Sequence, residues 1–288
     1  MDLRKLAFLG VVAVSACKDK GNDGATGAVS YANVSLSAPP GNGSVGAATP
    51  KGLQTVCRAI SATGQIKRDT DAGMAAGEVM GDAWVLLGPG SKLAVKNGTT
   101  SRETLFDGPG AVRACVGGEE EMWVDGGVFA SVIGAGESPG AEVWVVTPHG
   151  VVRYGSGARV TLNVSVPRVD VKVEGGSAWT WPVEGNAWTE VGAGKTATLS
   201  TRKAPSQIVG DCEQAATAAH DLGAAIVTKD AALGEAAPQH VVLRQKAHAI
   251  CAIAELVSAR SLDVVERGRL MPRAHTANTR WRDASGKP

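Results

Sequence analysis

The sequence has few aromatic residues other than tryptophan, and it has almost no net charge. It holds 3 Phe and 2 Tyr against 7 Trp, and its 29 lysine and arginine residues balance 28 acidic ones, which leaves a formal net charge of +1. Such a chain lacks the basic excess with which general nucleic-acid binders neutralise phosphates. We therefore expect no nucleic-acid partner.

Long hydrophobic runs are also missing. The apolar stretch 6–16 is interrupted only by Gly10 and Ser15, but it falls short of the roughly 20 residues that a membrane-spanning helix needs. Because Arg4 and Lys5 precede it, it has the form of a secretory signal peptide. It ends in VSAC at 14–17, which resembles the lipobox of bacterial lipoproteins.

The lipobox resemblance implies a lipid anchor at Cys17. In that family the signal, here 1–16, is removed and the new terminal cysteine carries several acyl chains, which hold a protein on a membrane where a single chain would not. We therefore expect the chain at the periplasmic face of a bacterial membrane, inner or outer. A plain signal peptide with an incidental cysteine is the alternative.

A tether, 17–55, is predicted to follow. Lysine and aspartate alternate with glycine and asparagine at 18–24, and PPGNGS stands at 39–44. Such a segment cannot bury enough apolar surface to offset the entropy of ordering it.

The region 56–204 carries the pattern of a β domain. Val160, Leu162, Val164 and Val166 alternate with polar residues, as do Val169 and Val171 after Pro167, which is the period of a strand with one buried face. Glycine turns separate about a dozen such runs. The pattern predicts a mainly β fold, an antiparallel sandwich or a solenoid-like roll of short strands.

Motifs of this region resemble the FecR domain in the order in which that family carries them. They are GQI at 64–66, EVMGDAW at 78–84, GPGSKLAV at 88–95, WVDGGVF at 123–129, VVTPHGVVRYG at 145–155, VKVEGG at 171–176 and GAGK at 192–195. The resemblance implies an exported β scaffold. FecR regulators place a cytoplasmic helical domain and a membrane span before this domain, whereas a lipobox and tether precede it here, so the resemblance does not carry over their signalling output.

The pattern becomes helical after Pro205. Apolar residues recur at three- and four-residue spacing in two stretches, which predicts a helical hairpin over 205–262. The remaining 263–288 is predicted to be a basic tail. Seven basic and three acidic residues stand in 260–288, so this end is either a solvated terminus or a contact for anionic lipid or cell-wall polymer.

Four cysteines remain once Cys17 is set aside, an even number that is typical of disulfides in an oxidising compartment. Three connectivities exist. We favour Cys212–Cys251, because both lie on apolar helix stripes, and Cys57–Cys115, which would fix the entry to the β domain. Free buried thiols are the alternative.

Few residues carry a chemical signature. Trp179 and Trp181 share one strand face and form either a ligand-stacking pair or ordinary core packing. Glu119, Glu120 and Glu121 are interpreted as a solvated loop. His248 and Cys251 have the spacing of metal ligands, but a disulfide at Cys251 would preclude a site, so we expect no metal and no cofactor.

The sequence as a whole favours a lipid-anchored envelope protein. We expect its FecR-like β domain to be a non-catalytic scaffold or binding module for an envelope protein or a cell-wall glycan. The alternative is a periplasmic sensory component that acts through a membrane partner. A hydrolytic enzyme with an unrecognised site is a third hypothesis, which would require a cleft with titratable groups of shifted pKa.

Overall fold

The computed structural model describes residues 57–68, 76–80, 83–97, 102–116, 121–132, 142–228 and 233–283. Within them it shows sixteen strands and three helices. The strands are β1 Cys57–Thr63, β2 Ile66–Arg68, β3 Val79–Met80, β4 Val85–Leu87, β5 Lys92–Asn97, β6 Glu103–Asp107, β7 Gly110–Arg113, β8 Glu121–Asp125, β9 Gly127–Val132, β10 Glu142–Thr147, β11 Gly150–Gly155, β12 Arg159–Val164, β13 Val169–Gly175, β14 Ser177–Pro182, β15 Thr189–Gly192 and β16 Thr196–Leu199. The helices are α1 Pro205–Thr228, α2 Leu233–Ala259 and α3 Val264–Asp283.

The strands form two eight-stranded sheets. One, called the open sheet here, has the order β16-β13-β12-β9-β6-β5-β1-β3, and the other, the covered sheet, has the order β15-β14-β11-β10-β8-β7-β4-β2. The chain passes back and forth between them, often one hairpin at a time. This confirms the predicted mainly β sandwich with a helical C-terminal part.

One strand pair departs from the antiparallel prediction. β8 and β10 run parallel, with Trp144 opposite Glu121 and Val146 opposite Trp123. Between these two strands the chain passes through β9 in the open sheet. One such excursion does not by itself fix the direction of return, because β1 and β3, which also flank a single strand of the other sheet, pair antiparallel.

The two sheets enclose the larger apolar core. Val160, Leu162 and Val171 are at most 1% exposed, as the alternation in β12 and β13 predicts. Val166 departs from that pattern and is 95% exposed. It lies in the turn that closes where Ser165 N donates to Arg168 O at 2.9 Å, so the strand ends before it.

The predicted helical hairpin is present as α1 and α2, and the third helix corrects the predicted tail. α3 occupies most of 263–288, and its buried residues Leu270, Ala274, Ala277 and Trp281 recur every three or four positions. Five arginines and Pro272 conceal this stripe in the sequence. None of the described helices has the hydropathy and length of a membrane span.

Both favoured disulfides are present. Cys212–Cys251 joins α1 to α2 with 4.7 Å between Cα atoms, and Cys57–Cys115 joins β1 to the segment just after β7 with 6.4 Å between Cα atoms. Both separations lie in the usual range for a disulfide. The two bonds indicate an oxidising, extracytoplasmic compartment.

The helical disulfide should contribute strongly to stability. The double variant Cys212→Ala/Cys251→Ala opens a loop with a sequence separation of 39, and we expect its free energy of unfolding to fall by about 4 kcal/mol in the chain-entropy model. Urea unfolding followed by far-UV circular dichroism measures the change. The matched variant Cys57→Ala/Cys115→Ala tests the other bond, and an unchanged midpoint in the first variant contradicts the prediction.

Candidate functional site

The covered sheet is buried on both faces at its centre. In β8, Met122 and Val124 face the inter-sheet core, and Trp123 between them faces the helices. Trp144 in β10 and Trp181 in β14 face the helices in the same way. Because neither face meets water, these strands are almost continuously apolar in sequence.

A buried ion pair joins this face to α2. Glu121 at the start of β8 is 2% exposed, and His248 in α2 is 6% exposed. His248 Nε2 lies 2.6 Å from Glu121 Oε2, and Trp123 Nε1 donates to Glu121 Oε1 at 2.5 Å. Both carboxylate oxygens therefore have partners, as a buried charge requires.

The surroundings of Glu121 keep it ionised. Burial by itself raises the pKa of a carboxyl group, but the charge of His248 and its hydrogen bond, with smaller contributions from Arg282 and Trp123, outweigh it and hold the pKa of Glu121 below its usual value. The sequence-based interpretation of Glu121 as part of a solvated loop is therefore wrong. Glu119 and Glu120 lie outside the described residues.

Two indoles enclose the His248 ring. The Trp144 ring stacks on it with centroids 4.4 Å apart at 20°, and the Trp281 ring of α3 lies 5.4 Å away at 30°. One imidazole thus contacts β8, β10 and α3 from its position on α2. This arrangement fixes the helices on the sheet and leaves no open face for a ligand.

A second buried pair lies beside this stack. Arg153 Nε lies 2.9 Å from Glu142 Oε1, and Trp144 Nε1 donates to Glu142 Oε2 at 3.3 Å. Burial raises the pKa of Glu142 despite the attraction of Arg153, and burial also lowers the pKa of Arg153. The guanidinium lies 4.8 Å from the Trp188 ring centroid, so these groups also bind one another rather than a ligand.

An open cleft of about 660 Å³ lies between the covered sheet and the ends of α2 and α3. We call it the indole cleft, because Trp84 and Trp123 form its sheet side, with ring centroids 6.3 Å apart. Its helix side includes Glu255, Ala259, Met271, Pro272, His275 and Arg282.

Two arginines and one carboxylate are the charged groups of the indole cleft. The Arg113 guanidinium lies 4.5 Å from the Trp123 ring centroid and 5.9 Å from that of Trp84, within cation–π range. Arg282 is a second cation in the lining, and the carboxylate in the lining is Glu255. Because Trp123 is only 2% exposed, the cleft suits a ligand whose flat or apolar part meets Trp84 and whose anionic group meets the guanidinium groups.

The hydroxyl and imidazole of the cleft do not form a nucleophile–base pair with each other. Thr279 Oγ1 donates to the carbonyl oxygens of His275 and Thr276, at 3.1 and 2.9 Å. His275 Nδ1 lies 3.2 Å from Glu255 Oε1, and the His275 side chain is 73% exposed. The described lining thus presents binding groups rather than an activated nucleophile.

The residues predicted from sequence lie apart from this cleft. Cys17 lies outside the described residues, and the four other cysteines form the two disulfides. Trp181 is 4% exposed and donates from Nε1 to Gly185 O at 2.8 Å. It lines a smaller cleft of about 360 Å³, while Trp179 is half-buried on the same strand face. Their stacking on a ligand stays a prediction.

Sequence reasoning missed Trp84, Arg113 and Trp123 as site residues. Trp84 and Trp123 stood inside motifs interpreted only as strands, and Arg113 carried no motif. The available signal was the excess of tryptophan over phenylalanine and tyrosine. Tryptophan is favoured where a large side chain keeps one face open to a ligand.

Comparison with known proteins gives little further guidance. No protein-family model matches the chain, and no curated protein matches it. Two solved chains from Parabacteroides distasonis ATCC 8503, described as candidate anti-sigma factors, are similar to part of this chain. The structure determined at 1.65 Å aligns with 42% of this chain at 12% identity and a TM-score of 0.35. The structure determined at 2.50 Å aligns with 44% of it at 10% identity and a TM-score of 0.33. The alignments span 56% and 64% of those chains. Likenesses at this level assign neither the fold nor the function of the chain.

The Glu121–His248 pair gives a pH-dependent prediction. Because the pKa of Glu121 is lowered on folding, its stabilising contribution is complete above the unfolded value of about 4.3 and is lost as the pH falls through the folded pKa. Glu121→Gln should lower the free energy of unfolding by about 3 kcal/mol at pH 7, and the deficit should shrink in acid. Urea unfolding from pH 3 to 7 measures it.

The exposed Glu190 on β15 provides the control for this series, because Glu190→Gln should track the wild-type protein throughout. A Glu121→Gln deficit that is constant with pH would contradict the role of the ionised carboxylate.

Proposed function

We propose that this chain is a lipid-anchored envelope protein whose FecR-like β domain and helical layer form a non-catalytic binding module. Cys17 is the anchor, at the periplasmic face of a bacterial membrane. The indole cleft is the observation that carries the binding role, since it joins two indole rings and two arginines in one open site.

The ligand is an anion with a flat or apolar part. Cation–π pairing holds the Arg113 guanidinium against the indole of Trp123, where it is positioned to meet a carboxylate or phosphate. An envelope protein or a cell-wall glycan that presents such a group fits this chemistry.

Burial and hydrogen bonding support the non-catalytic role. Glu121 and His248 bind each other away from solvent, and the Thr279 hydroxyl is engaged by backbone carbonyls. General acid–base catalysis in the cleft would have to use His275 or Glu255, the titratable groups that line it. The sensory alternative, which would act through a membrane partner, stays a prediction.

Acyl labelling tests the anchor. Cells that express the full chain and are fed an alkyne-tagged palmitate should label the wild-type protein and the Cys115→Ser control, and should leave Cys17→Ser unlabelled. The reason is that Cys17 is the acceptor of the lipid. Membrane fractionation should show Cys17→Ser shifting toward the soluble fraction. Undiminished labelling of Cys17→Ser would exclude this residue as the anchor.

An aromatic anion tests the cleft. We expect 8-anilinonaphthalene-1-sulfonate to bind with an affinity that Arg113→Gln lowers about tenfold, because a charge-assisted contact is lost. Trp84→Ala should also weaken binding, through lost stacking. Fluorescence titration gives the dissociation constants, with unfolding midpoints measured for each variant.

The matched control is Arg159→Gln, since Arg159 is exposed on the open sheet, away from the cleft. It should leave the dissociation constant unchanged. Equal affinity of the Arg113→Gln and wild-type proteins for the probe would refute the assignment of the cleft.

A further inference from the structure

The corner between α2 and α3 exposes several apolar side chains in succession. Leu262 is 97% exposed, Val264 is 67% exposed and Val265 is 81% exposed. We call residues 260–265 the apolar corner. Scattered exposed apolar residues are common, but a contiguous group on a convex corner marks an interaction surface.

The apolar corner is held in place by its own hydrogen bonds. Asp263 Oδ1 accepts from the backbone N–H groups of Val265 and Glu266, at 2.8 and 3.1 Å, which caps α3. Ser261 Oγ donates to Glu266 Oε2 at 3.1 Å. The fixed backbone keeps the apolar side chains directed outward.

The charges next to the apolar corner favour an anionic surface. Arg269 is exposed and lies one helical turn beyond Val265, and Arg267 lies between them in sequence. Asp263 caps α3, so its charge and the positive end of the helix dipole offset each other. Arg267 and Arg269 then stand against the single carboxylate of Glu266, which leaves one positive charge in excess beside the corner.

We propose that the apolar corner inserts into the interface of an anionic lipid membrane, with Arg269 at the level of the headgroups. This inference rests on the proposed function, because the anchor at Cys17 would hold the corner close to such a membrane and raise its effective concentration there. A small number of apolar side chains with adjacent cations is enough for binding at a membrane interface.

The size of the apolar corner favours a membrane over a protein partner. A stable protein interface buries at least about 1,000 Å² over a complementary surface with a packed centre. The three exposed side chains of the corner present much less than that. Partial insertion into lipid needs no complementary shape.

Vesicle co-sedimentation tests the proposal without the anchor. The mature chain 17–288 with Cys17→Ser keeps every described residue and omits the apolar stretch 6–16, which would itself bind lipid. We expect it to bind vesicles of phosphatidylethanolamine and phosphatidylglycerol at a ratio of 3:1, and to bind phosphatidylcholine vesicles much less.

The variants identify the surface that binds. Leu262→Ser/Val265→Ser should lower the partition coefficient about tenfold, because two apolar side chains lose their burial in the interface. The matched control is Val166→Ser, since Val166 is 95% exposed in the β12–β13 turn. It should partition as the parent does. Arg269→Gln should weaken binding about fivefold on the anionic vesicles, at about 1 kcal/mol for one charge near the surface.

Three results would overturn the proposal. The first is that the Leu262→Ser/Val265→Ser variant partitions onto vesicles as its parent does. The second is that the parent binds neutral and anionic vesicles equally. The third is that sedimentation velocity shows the parent as a dimer and this variant as a monomer. All variants alter exposed side chains, so unchanged unfolding midpoints are expected. Because Cys17 is absent from this assay, failure here leaves acyl labelling at Cys17 unaffected, and the two proposals fail separately.

Discussion

The contact between Glu121 and His248 determines how the helices sit on the sandwich. It is a charged contact within an otherwise largely apolar layer, and both partners are nearly inaccessible to water. A purely apolar interface between helices and a sheet tolerates sliding, whereas a buried carboxylate tolerates only the position in which its oxygens are paired. The pair therefore sets the register of α2 on the covered sheet.

The tryptophans of the covered sheet divide into two groups because of this register. Trp144 stacks on His248 and is committed to the interface. Trp123 donates to Glu121 from its nitrogen while its ring also lines the open cleft. The same ion pair thus orients a side chain of the cleft, so the buried contact and the proposed binding site share one indole.

The architecture was largely predictable from sequence, because its causes are local. Alternation in β12 and β13 reports one buried face, and the spacing of Cys212 and Cys251 on apolar stripes indicated their bond. The parallel pairing of β8 with β10 was not predictable, since it depends on β9 joining the other sheet. α3 was missed because its arginines and Pro272 outweighed a sparse stripe ending in Trp281. The buried pair was missed because Glu121 and His248 are 127 residues apart, and no local pattern indicates that they meet.

The position of the Cys57–Cys115 bond has a mechanical consequence. Cys57 is the first residue of β1, and the bond joins it to Cys115, two residues beyond the end of β7 in the covered sheet. If the preceding segment is the tether proposed here, a pull from the membrane reaches the sandwich at Cys57. The load then passes through a covalent link into both sheets, instead of peeling β1 from its neighbours one hydrogen bond at a time. A protein attached to the membrane through this residue can bear tension from a bound partner while its fold stays intact.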